Sequence, residues 1–355
     1  MLFYPLVISY IIIRMTENDM NKNDEKSTIA TIIEKIRGYE VFEGKILENE
    51  ALAPKTTFKI GGKARLFIAP ENYNSFQKVI SILVEMKQKF FILGGGSNVV
   101  FPDDDFEPVV ISTHAFNDVE TFKAEDLPFD FGKVELEDGQ VLVTCFSGTP
   151  MASFVNFCTE NNISGAEEFA GLPGTIGGAV YMNARCFNKS ISDILFSVSY
   201  MDYSTENVKL RHSRFNPAEW DYKKSPFQNS RYFITTTTFL LEQKTPEEHQ
   251  QIADTSRHFI VERISKGHFK FPSAGSVFKN NHSFGKPSGQ IIDEAGLRGY
   301  SIGGAQVAPF HGNFIINTGN AKSEDVKALV EHIQEIVLKK YSFKLEPEII
   351  FVDNL

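Results

Sequence analysis

Two glycine-rich runs constrain the fold of this chain more than any other feature of its sequence. The first, Gly94-Gly95-Gly96-Ser97-Asn98, follows a short apolar run of strand type, Phe90 to Leu93, and the second, Gly171 to Ala179, places four glycines in nine residues. Glycine allows backbone N–H groups to surround an anionic oxygen, and Ser and Asn add further donors. Either run alone also suits a tight turn. Because both lie in one α/β region, together they favour a large cofactor that carries phosphate groups.

Several familiar signatures are missing from the sequence. A Walker loop needs Gly-Lys-Ser/Thr, and a dinucleotide fingerprint needs GxGxxG at the start of a helix, whereas Val99-Val100-Phe101-Pro102 follows the first run. The eight histidines show no HExxH spacing, and Cys145, Cys158 and Cys186 show no zinc spacing. We therefore expect no metal site, and we interpret the cysteines as reduced cytosolic thiols.

The chain around the first run has the pattern of a β-α-β unit. Ala64 to Ile68 alternates like a strand, Asn74 can cap a helix with one apolar face, and Val109 to Ser112 has the pattern of another strand. Further along, strands are predicted from Val134 to Ser147, with a turn at Asp138-Gly139. This alternation predicts an α/β (α+β) fold.

The C-terminal region is predicted to begin with a helix. A capping residue at Thr245, with a proline and acidic residues in the first turn, predicts a helix that runs to about Ile264. The last helix is predicted to be capped by Ser323, and a strand from Glu348 to Val352 is predicted to follow it.

The acidic composition limits the partners of the chain. Its 36 Lys and Arg against 45 Asp and Glu give a net charge of −9, which argues against nucleic acid or an anionic membrane but allows a small anionic ligand in a local basic pocket. Met1 to Ile13 is almost wholly apolar, yet it is shorter than the ~20 residues of a spanning helix and lacks the flanks of a signal peptide. We interpret it as the product of a start codon placed too early or, alternatively, as an apolar anchor. It belongs to an expected leader, residues 1–28, whose polar part from Thr16 to Thr28 we expect to be disordered.

Three residues are candidates for chemistry, and each also has a plain structural interpretation. Ser276 lies beside a glycine, and its hydroxyl could donate a proton in a shaped site or cap a helix from a loop. Lys223 lies in a polar stretch that would suit a solvated loop. Glu348 begins the terminal strand, where most glutamates are surface residues. The residues alone leave these alternatives open.

The order and wording of these motifs resemble the UDP-N-acetylenolpyruvoylglucosamine reductase (MurB) family. The matching stretches run in the family's order from about residue 50 to the end, and their spacing is similar to the family's second type. They are Thr56 to Gly62, Leu93 to Val99, Gly165 to Asn183, Tyr222 to Phe227, Ser273 to Asn280, Ile302 to Ala305, Asn320 to Asp325 and Leu345 to Glu348.

The resemblance implies a two-subdomain FAD-binding module of the vanillyl-alcohol-oxidase (PCMH-like) type, followed by an α/β substrate-binding domain. We expect the module at residues 50–243, with subdomains at about 50–113 and 114–243, and the substrate domain at 244–355. The last strand is expected to return to the first subdomain. The resemblance assigns contacts with FAD to Thr57, Ile60, Gly61, Gly94, Gly95, Gly96, Ser97, Asn98, Pro173, Gly174, Thr175, Gly177, Gly178 and Ala179.

The implied reaction has two halves. NADPH reduces the flavin, which then passes a hydride to C3 of the enolpyruvyl ether of UDP-N-acetylglucosamine-enolpyruvate, giving UDP-N-acetylmuramate. By motif, Ser276 is the proton donor to C2 and Glu348 is a second acid in the site. Lys223 stands where the family has an arginine, so the charge is kept but the planar fork that suits a carboxylate is lost. We hypothesise that Arg185, an unusual residue beside the second run, supplies the missing guanidinium.

The resemblance also suggests residues that hold the UDP-sugar, and it leaves other functions open. A catalytically silent flavin- or UDP-sugar-binding paralogue, another oxidase of the same fold, and an envelope-tethered protein that depends on Met1 to Ile13 are the alternatives. We expect a cytoplasmic enzyme of peptidoglycan precursor synthesis without a nucleic-acid or stable membrane partner. The candidate substrate-binding residues are Tyr222, Lys266, Lys279, Asn280, Arg298, His311 and Arg185.

Overall fold

The first helix begins inside the expected leader. The computed structural model describes residues 22–122 and 134–352, so the apolar stretch Met1 to Ile13 lies outside the described residues. Helix α1 spans Lys22–Arg37, so that residues 22–28, expected to belong to the leader, are helical. Ile32 and Ile36 of α1 are fully buried, because the helix packs on the first sheet and its covering helix.

An open four-stranded sheet follows α1. Its order is β1-β2-β5-β3, in which β5 runs parallel to β2 and β3 while β1 is antiparallel to β2. Helix α2 connects β2 to β3, so the predicted β-α-β unit is confirmed. The elements are β1 Gly44–Ala51, β2 Lys63–Pro70, α2 Tyr73–Glu85, β3 Phe90–Leu93, β4 Val99–Val100 and β5 Val109–Ser112.

Helix α2 begins two residues earlier than the sequence suggested. Its N-cap is Asn72, whose side-chain oxygen accepts a hydrogen bond from the Ser75 backbone N–H at 2.8 Å, so the predicted cap at Asn74 is wrong. An Asn at the cap position satisfies one of the free N–H groups of the first turn. The predicted apolar face of this helix is buried.

The middle of the chain forms a second, wholly antiparallel sheet. Its order is β12-β11-β13-β7-β6, and β8 pairs with β13. The strand predicted from Val134 begins only at Gln140, and its hairpin partner is β6. The elements are β6 Val119–Phe122, β7 Gln140–Phe146, α3 Met151–Glu160, β8 Ile163–Ser164, α4 Ile176–Tyr181, β9 Arg185–Cys186, β10 Lys189–Ser190, β11 Leu195–Asp202, β12 Lys209–Arg214 and β13 Tyr232–Gln243.

The C-terminal part forms a third sheet, ordered β14-β17-β16-β15, on which α7 packs its apolar face. The N-cap of α7 is Lys322 rather than the predicted Ser323. The elements are α5 His249–Ser265, β14 Ser273–Ser276, α6 Ser288–Glu294, β15 Ser301–Ile302, β16 Ala305–Val307, β17 Phe314–Asn317, α7 Ser323–Tyr341 and β18 Ile350–Phe351.

Two contacts tie the three parts together. Phe76 of α2 stacks on Phe233 of β13 with ring centroids 4.9 Å apart, which joins the first and second sheets through one apolar core. The terminal strand β18 lies parallel to β4, with Ile350 opposite Val99. Glu348 is thereby held next to the first glycine-rich run. Across residues 22–122 and 134–352, no helix has the length and apolar character needed to cross a membrane.

Candidate active site

A large cleft lies where the three parts of the chain meet. Its volume is about 3280 Å³, and its walls include both glycine-rich runs, the loop that carries Lys223, strand β14 and the residues that precede β18. A smaller cavity of about 350 Å³ adjoins it and shares Ser276 with it. A cleft of this size could accommodate a dinucleotide and a second extended ligand.

The two glycine-rich runs touch each other in the cleft wall. A Cβ atom placed on Gly95 would lie 2.6 Å from the Cα of Gly174, closer than any real side chain is found, so only glycine fits at this crossing. Ser97 and Thr175 approach the opposite run in the same way. The structure thus brings together two segments that are far apart in sequence, and their backbones and hydroxyls form one surface, here called the cradle (Gly94 to Asn98 and Pro173 to Ala179).

Three buried polar atoms in the cleft residues have no hydrogen-bond partner among the described residues. They are Ser147 Oγ, Thr175 Oγ1 and Arg263 Nε. Buried hydroxyls and guanidinium groups are normally paired, so unpaired ones beside a cleft are consistent with a ligand that completes them. Sequence reasoning identified Thr175 but missed Ser147 and Arg263. Nothing in their local pattern marks them, since each becomes notable only through its neighbours in space.

The other residues predicted to contact FAD divide into two groups. Thr57 lines the cleft, where its backbone N–H donates to Gly96 O at 3.1 Å and its hydroxyl donates to Ser273 O at 2.7 Å. Ile60 and Gly61 do not line the cleft: Ile60 is 2% exposed in the core below α7, and Gly61 packs on Phe101. Neither residue therefore faces the space where FAD is expected.

Lys223 and Glu348 form an ion pair on the cleft wall. Lys223 Nζ lies 2.6 Å from Glu348 Oε1, and the two side chains are only 11% and 12% exposed. Such a charge-assisted bond is strong because little water competes for it. The Glu348 backbone N–H donates to Val277 O at 2.7 Å, and Asn98 Nδ2 donates to Glu348 O at 3.0 Å, so this glutamate joins the cradle to strand β14.

Ser276 completes what is here called the corner (Lys223, Ser276 and Glu348). It ends β14, opposite Phe314 of β17, and is followed by Val277, whose carbonyl holds the Glu348 backbone. The structure therefore gathers residues from three distant segments on one wall. The corner supplies an ammonium, a carboxylate and a hydroxyl, which suit charge stabilisation and proton transfer.

Most of the predicted substrate-binding residues line the same cleft as this corner. Arg298 is an exception, since it lines only the smaller cavity and pairs with Asp293 at 2.8 Å. Arg185 lies exposed on the cleft wall and donates to Ser190 Oγ at 3.2 Å, so Lys223 rather than Arg185 is the cation bonded to Glu348. The predicted substrate-binding residues that line the large cleft are Tyr222, Lys266, Lys279, Asn280, His311 and Arg185.

Two histidines on the same side of the cleft are held neutral. Burial and the nearby Arg263 lower the pKa of His268 to about 4, and burial with the nearby Arg298 lowers the pKa of His311. Arg263 Nη1 lies 3.3 Å from His268 Nδ1, and because a guanidinium can only donate, that nitrogen is the acceptor. Arg263 also donates to Cys186 Sγ. Burial nevertheless raises the pKa of this thiol, an effect that Arg263 partly offsets.

Comparison with known proteins identifies both halves of the chain. The FAD binding domain family matches residues 64–211, and the family described as UDP-N-acetylenolpyruvoylglucosamine reductase, C-terminal domain, matches residues 267–352. The UDP-N-acetylenolpyruvoylglucosamine reductase of Treponema denticola is 40% identical over 321 residues, which cover 88% of this chain and 95% of that protein. The enzyme of the same name from Borreliella burgdorferi is 38% identical over 306 residues, covering 86% and 94%.

A solved structure shares the fold along nearly its whole length. It is the UDP-N-acetylenolpyruvylglucosamine reductase (MurB) of Thermus caldophilus, with a TM-score of 0.67 and 25% identity, covering 87% of this chain and 99% of that one. The fold and the site thus define an FAD-dependent oxidoreductase, and the predicted fold class is confirmed. Within this class, the chain belongs to the UDP-N-acetylenolpyruvoylglucosamine reductase family.

The residues of the cleft fit FAD. Both glycine runs line the cleft with backbone rather than large side chains, so a phosphate-bearing ligand can come close to main-chain N–H groups, and the unpaired hydroxyls of Ser147 and Thr175 are donors that phosphate or ring acceptors can satisfy. The resemblance that pointed to FAD and NADPH is therefore consistent with the site. Among the described residues, no cluster of His, Cys, Asp and Glu could hold a metal ion.

Proposed function

We propose that the cleft binds UDP-N-acetylglucosamine-enolpyruvate and that the corner acts on its enolpyruvyl group. The enzyme is an FAD-dependent UDP-N-acetylmuramate dehydrogenase of peptidoglycan precursor synthesis, with NADPH as reductant. The observation that carries the proposal is the buried 2.6 Å pair of Lys223 and Glu348 on the wall that also holds Ser276 and the cradle. FAD supplies the hydride-transfer chemistry when bound.

Lys223 is proposed to stabilise negative charge on the substrate. The enolpyruvyl carboxylate is already anionic, and more charge develops at C2 as C3 receives a hydride. A fixed ammonium in a site with little water stabilises such charge far better than solvent does. Glu348 holds the ammonium in place from the other side, and the pair stays oriented because Asn98 and Val277 fix the glutamate backbone.

Ser276 is proposed to donate the proton to C2. A serine hydroxyl is too weak an acid to protonate most carbon centres, but the developing enolate is a strong base. Ser276 lines both cavities, and the carbonyl of the next residue, Val277, accepts a hydrogen bond from the Glu348 backbone. Proton donation and charge stabilisation thus come from neighbouring groups on one wall.

The test is NADPH oxidation by the purified protein with and without UDP-N-acetylglucosamine-enolpyruvate. Oxidation that depends on the enolpyruvyl sugar supports the proposal. A flavin-containing protein without this dependence would favour a silent paralogue or another oxidase. Lys223→Ala and Arg185→Ala separate the two cations: we expect Lys223→Ala to abolish turnover, whereas unchanged turnover in Arg185→Ala would end the hypothesis that Arg185 replaces the family's arginine.

Domain boundaries and location stay proposals as well. We propose subdomains at about 50–113 and 114–243 and a substrate domain at 244–355, and matches to separate families at residues 64–211 and 267–352 are consistent with this division. We also propose a cytoplasmic enzyme, since Cys145, Cys158 and Cys186 are free thiols, as a reducing compartment requires. Immunodetection in fractionated cells tests the location.

A further inference from the structure

Lys223 lies in a loop whose backbone is unfavourable for a lysine. Its φ angle is +57°, in the left-handed region that favours glycine. The loop closes on itself, with the Lys224 N–H donating to Asp221 O at 2.9 Å and the Asp221 N–H donating to Lys224 O at 3.4 Å. A non-glycine residue keeps such a conformation only when its surroundings hold it there.

Side chains from two directions hold this loop. Asn183 Nδ2 donates to Asp221 O at 2.9 Å, and Ser225 Oγ donates to Tyr181 O at 2.7 Å. Both bonds attach the loop to the end of helix α4, whose first residues belong to the cradle. The loop that presents Lys223 is therefore anchored to the element that the cofactor is expected to contact.

A third bond acts on Lys223 itself. Gln228 Nε2 donates to Lys223 O at 3.1 Å and lies 3.9 Å from Met182 Sδ, which follows α4. The side-chain amide of Gln228 therefore bridges the backbone carbonyl of Lys223 and the end of helix α4. Gln228 also lines the large cleft, but its donor points to the loop backbone rather than to Glu348.

We propose that Gln228 is a positioning residue for Lys223, holding the left-handed backbone from which the ammonium reaches Glu348. The inference rests on the proposed role of Lys223. The ammonium must meet Glu348 at 2.6 Å, and a shift of about 1 Å in a catalytic group can slow a reaction by up to ~10²-fold. Loss of the Gln228 donor releases the loop without removing the charge.

The test compares Gln228→Leu and Gln228→Glu with the matched control Gln77→Leu. Gln77 Nε2 also donates to a backbone carbonyl, that of Val208, at 3.4 Å and outside the cleft. Stopped-flow absorbance follows flavin reduction by NADPH and reoxidation by the enolpyruvyl UDP-sugar separately. We expect Gln228→Leu to slow reoxidation about 10-fold, the effect of one lost hydrogen bond, with reduction and FAD affinity changed less than ~2-fold.

The glutamate variant adds a signature that a purely structural role would not produce. Ionised Glu has no donor for Lys223 O, whereas protonated Glu regains one. The reoxidation rate of Gln228→Glu relative to the wild type should therefore rise as pH falls from 8 towards the ordinary Glu pKa of about 4.3. The Leu variant should keep a constant ratio. Since Glu preserves the size of the side chain, this variant remains informative if Gln228→Leu does not fold.

The outcomes distinguish failure of the positioning role of Gln228 from failure of the proposed role of Lys223. Equal slowing of both half-reactions, or weaker FAD binding measured by flavin fluorescence, would overturn positioning of Lys223 by Gln228. So would Gln228 variants that behave like Gln77→Leu. If Lys223→Ala slows reoxidation strongly while the Gln228 variants do not, only the positioning inference fails. If Lys223→Ala leaves reoxidation unchanged, the proposed function of Lys223 fails.

Discussion

The cradle and the corner face the same cleft but are built on different principles. The cradle consists of backbone and small side chains, and what it offers a ligand is space, N–H groups and hydroxyls. The corner consists of two long charged side chains and a serine hydroxyl, drawn from segments that are 125 residues apart in the case of Lys223 and Glu348. The comparison teaches that cofactor binding here depends on shape, whereas chemistry depends on the mutual orientation of a few side chains.

The largest expected effect comes from forcing the two glycine-rich runs of the cradle apart. Gly95→Ala places a Cβ 2.6 Å from the Gly174 backbone, which cannot move aside as a flexible side chain would. We expect the variant to lose FAD, visible as loss of flavin absorbance in the purified protein. Gly178→Ala is the matched comparison, because its new Cβ would lie 3.6 Å from Thr175 Oγ1, an ordinary contact. Equal loss of flavin in both variants would contradict the crossing of the two runs as the critical point.

A change in the corner should leave the cofactor in place. Ser276→Ala removes the proposed proton donor, and general acid catalysis contributes roughly 10²–10⁴-fold, so reoxidation of the reduced flavin by the enolpyruvyl UDP-sugar should slow by that order. Reduction by NADPH and the flavin content should stay near the wild-type values. A Ser276→Ala variant that turns over normally would show that the proton comes from another group.

The unpaired hydroxyls in and beside the cradle sharpen the comparison further. Ser147→Ala and Thr175→Val each remove one buried donor that has no partner among the described residues. If FAD completes these groups, each change should weaken FAD binding by about 1 kcal/mol, or roughly 5-fold in Kd. Fluorescence titration of the flavin-depleted protein measures this, with Thr237→Val as a control, since its unpaired hydroxyl does not line the cleft. Loss of the same size in the control would refute a direct role in binding.

The last effect concerns stability at low pH rather than binding or catalysis, and it should come from His268 rather than from the cradle. His268 has a folded-state pKa of about 4, lowered by burial, Arg263 and His311, against an ordinary value of 6.5. The unfolded chain binds this proton more tightly than the folded chain does. The contribution of neutral His268 to stability is therefore fully present above pH 6.5 and is lost as the pH falls towards 4. Since His268 is partly exposed and therefore screened by solvent, we expect its protonation to lower the free energy of unfolding by about 1–2 kcal/mol.

The measurement is urea unfolding of the wild type and of His268→Gln at pH 7.5 and pH 5. The wild type should lose more stability between the two values than the variant does. Equal losses would mean that other groups carry the acid sensitivity.

Local patterns predicted much of the fold. The apolar faces of α2 and α7, strands β3 and β5, and the β-α-β unit follow from periodicity, which reports which side of an element is buried. The helix caps were predicted less accurately. The N-cap of α2 is Asn72, two residues before the predicted Asn74, and that of α7 is Lys322, one residue before the predicted Ser323. Capping depends on where the first turn starts, and packing moves that point.

The candidate site divides in the same way. The glycine runs were visible because no other residue permits such close backbone approach. Ser147, Arg263 and Gln228 were not visible, since a serine, an arginine and a glutamine carry no pattern of their own. Ile60 and Gly61 belonged to a matching stretch that reaches the cleft at Thr57, but they themselves lie in the core, where Ile60 is buried and Gly61 packs on Phe101.

The sequence by itself determined the fold class, the family and the two runs that form the cradle. Composition, periodicity and the order of short motifs are properties of the linear chain, so they can be recognised without knowing how the chain packs. Only the tertiary structure decided that Lys223 rather than Arg185 meets Glu348, that Arg298 pairs with Asp293, and that Gln228 holds the Lys223 carbonyl. Those contacts join segments whose separation in space is set by how three sheets pack together, and no local pattern encodes that distance.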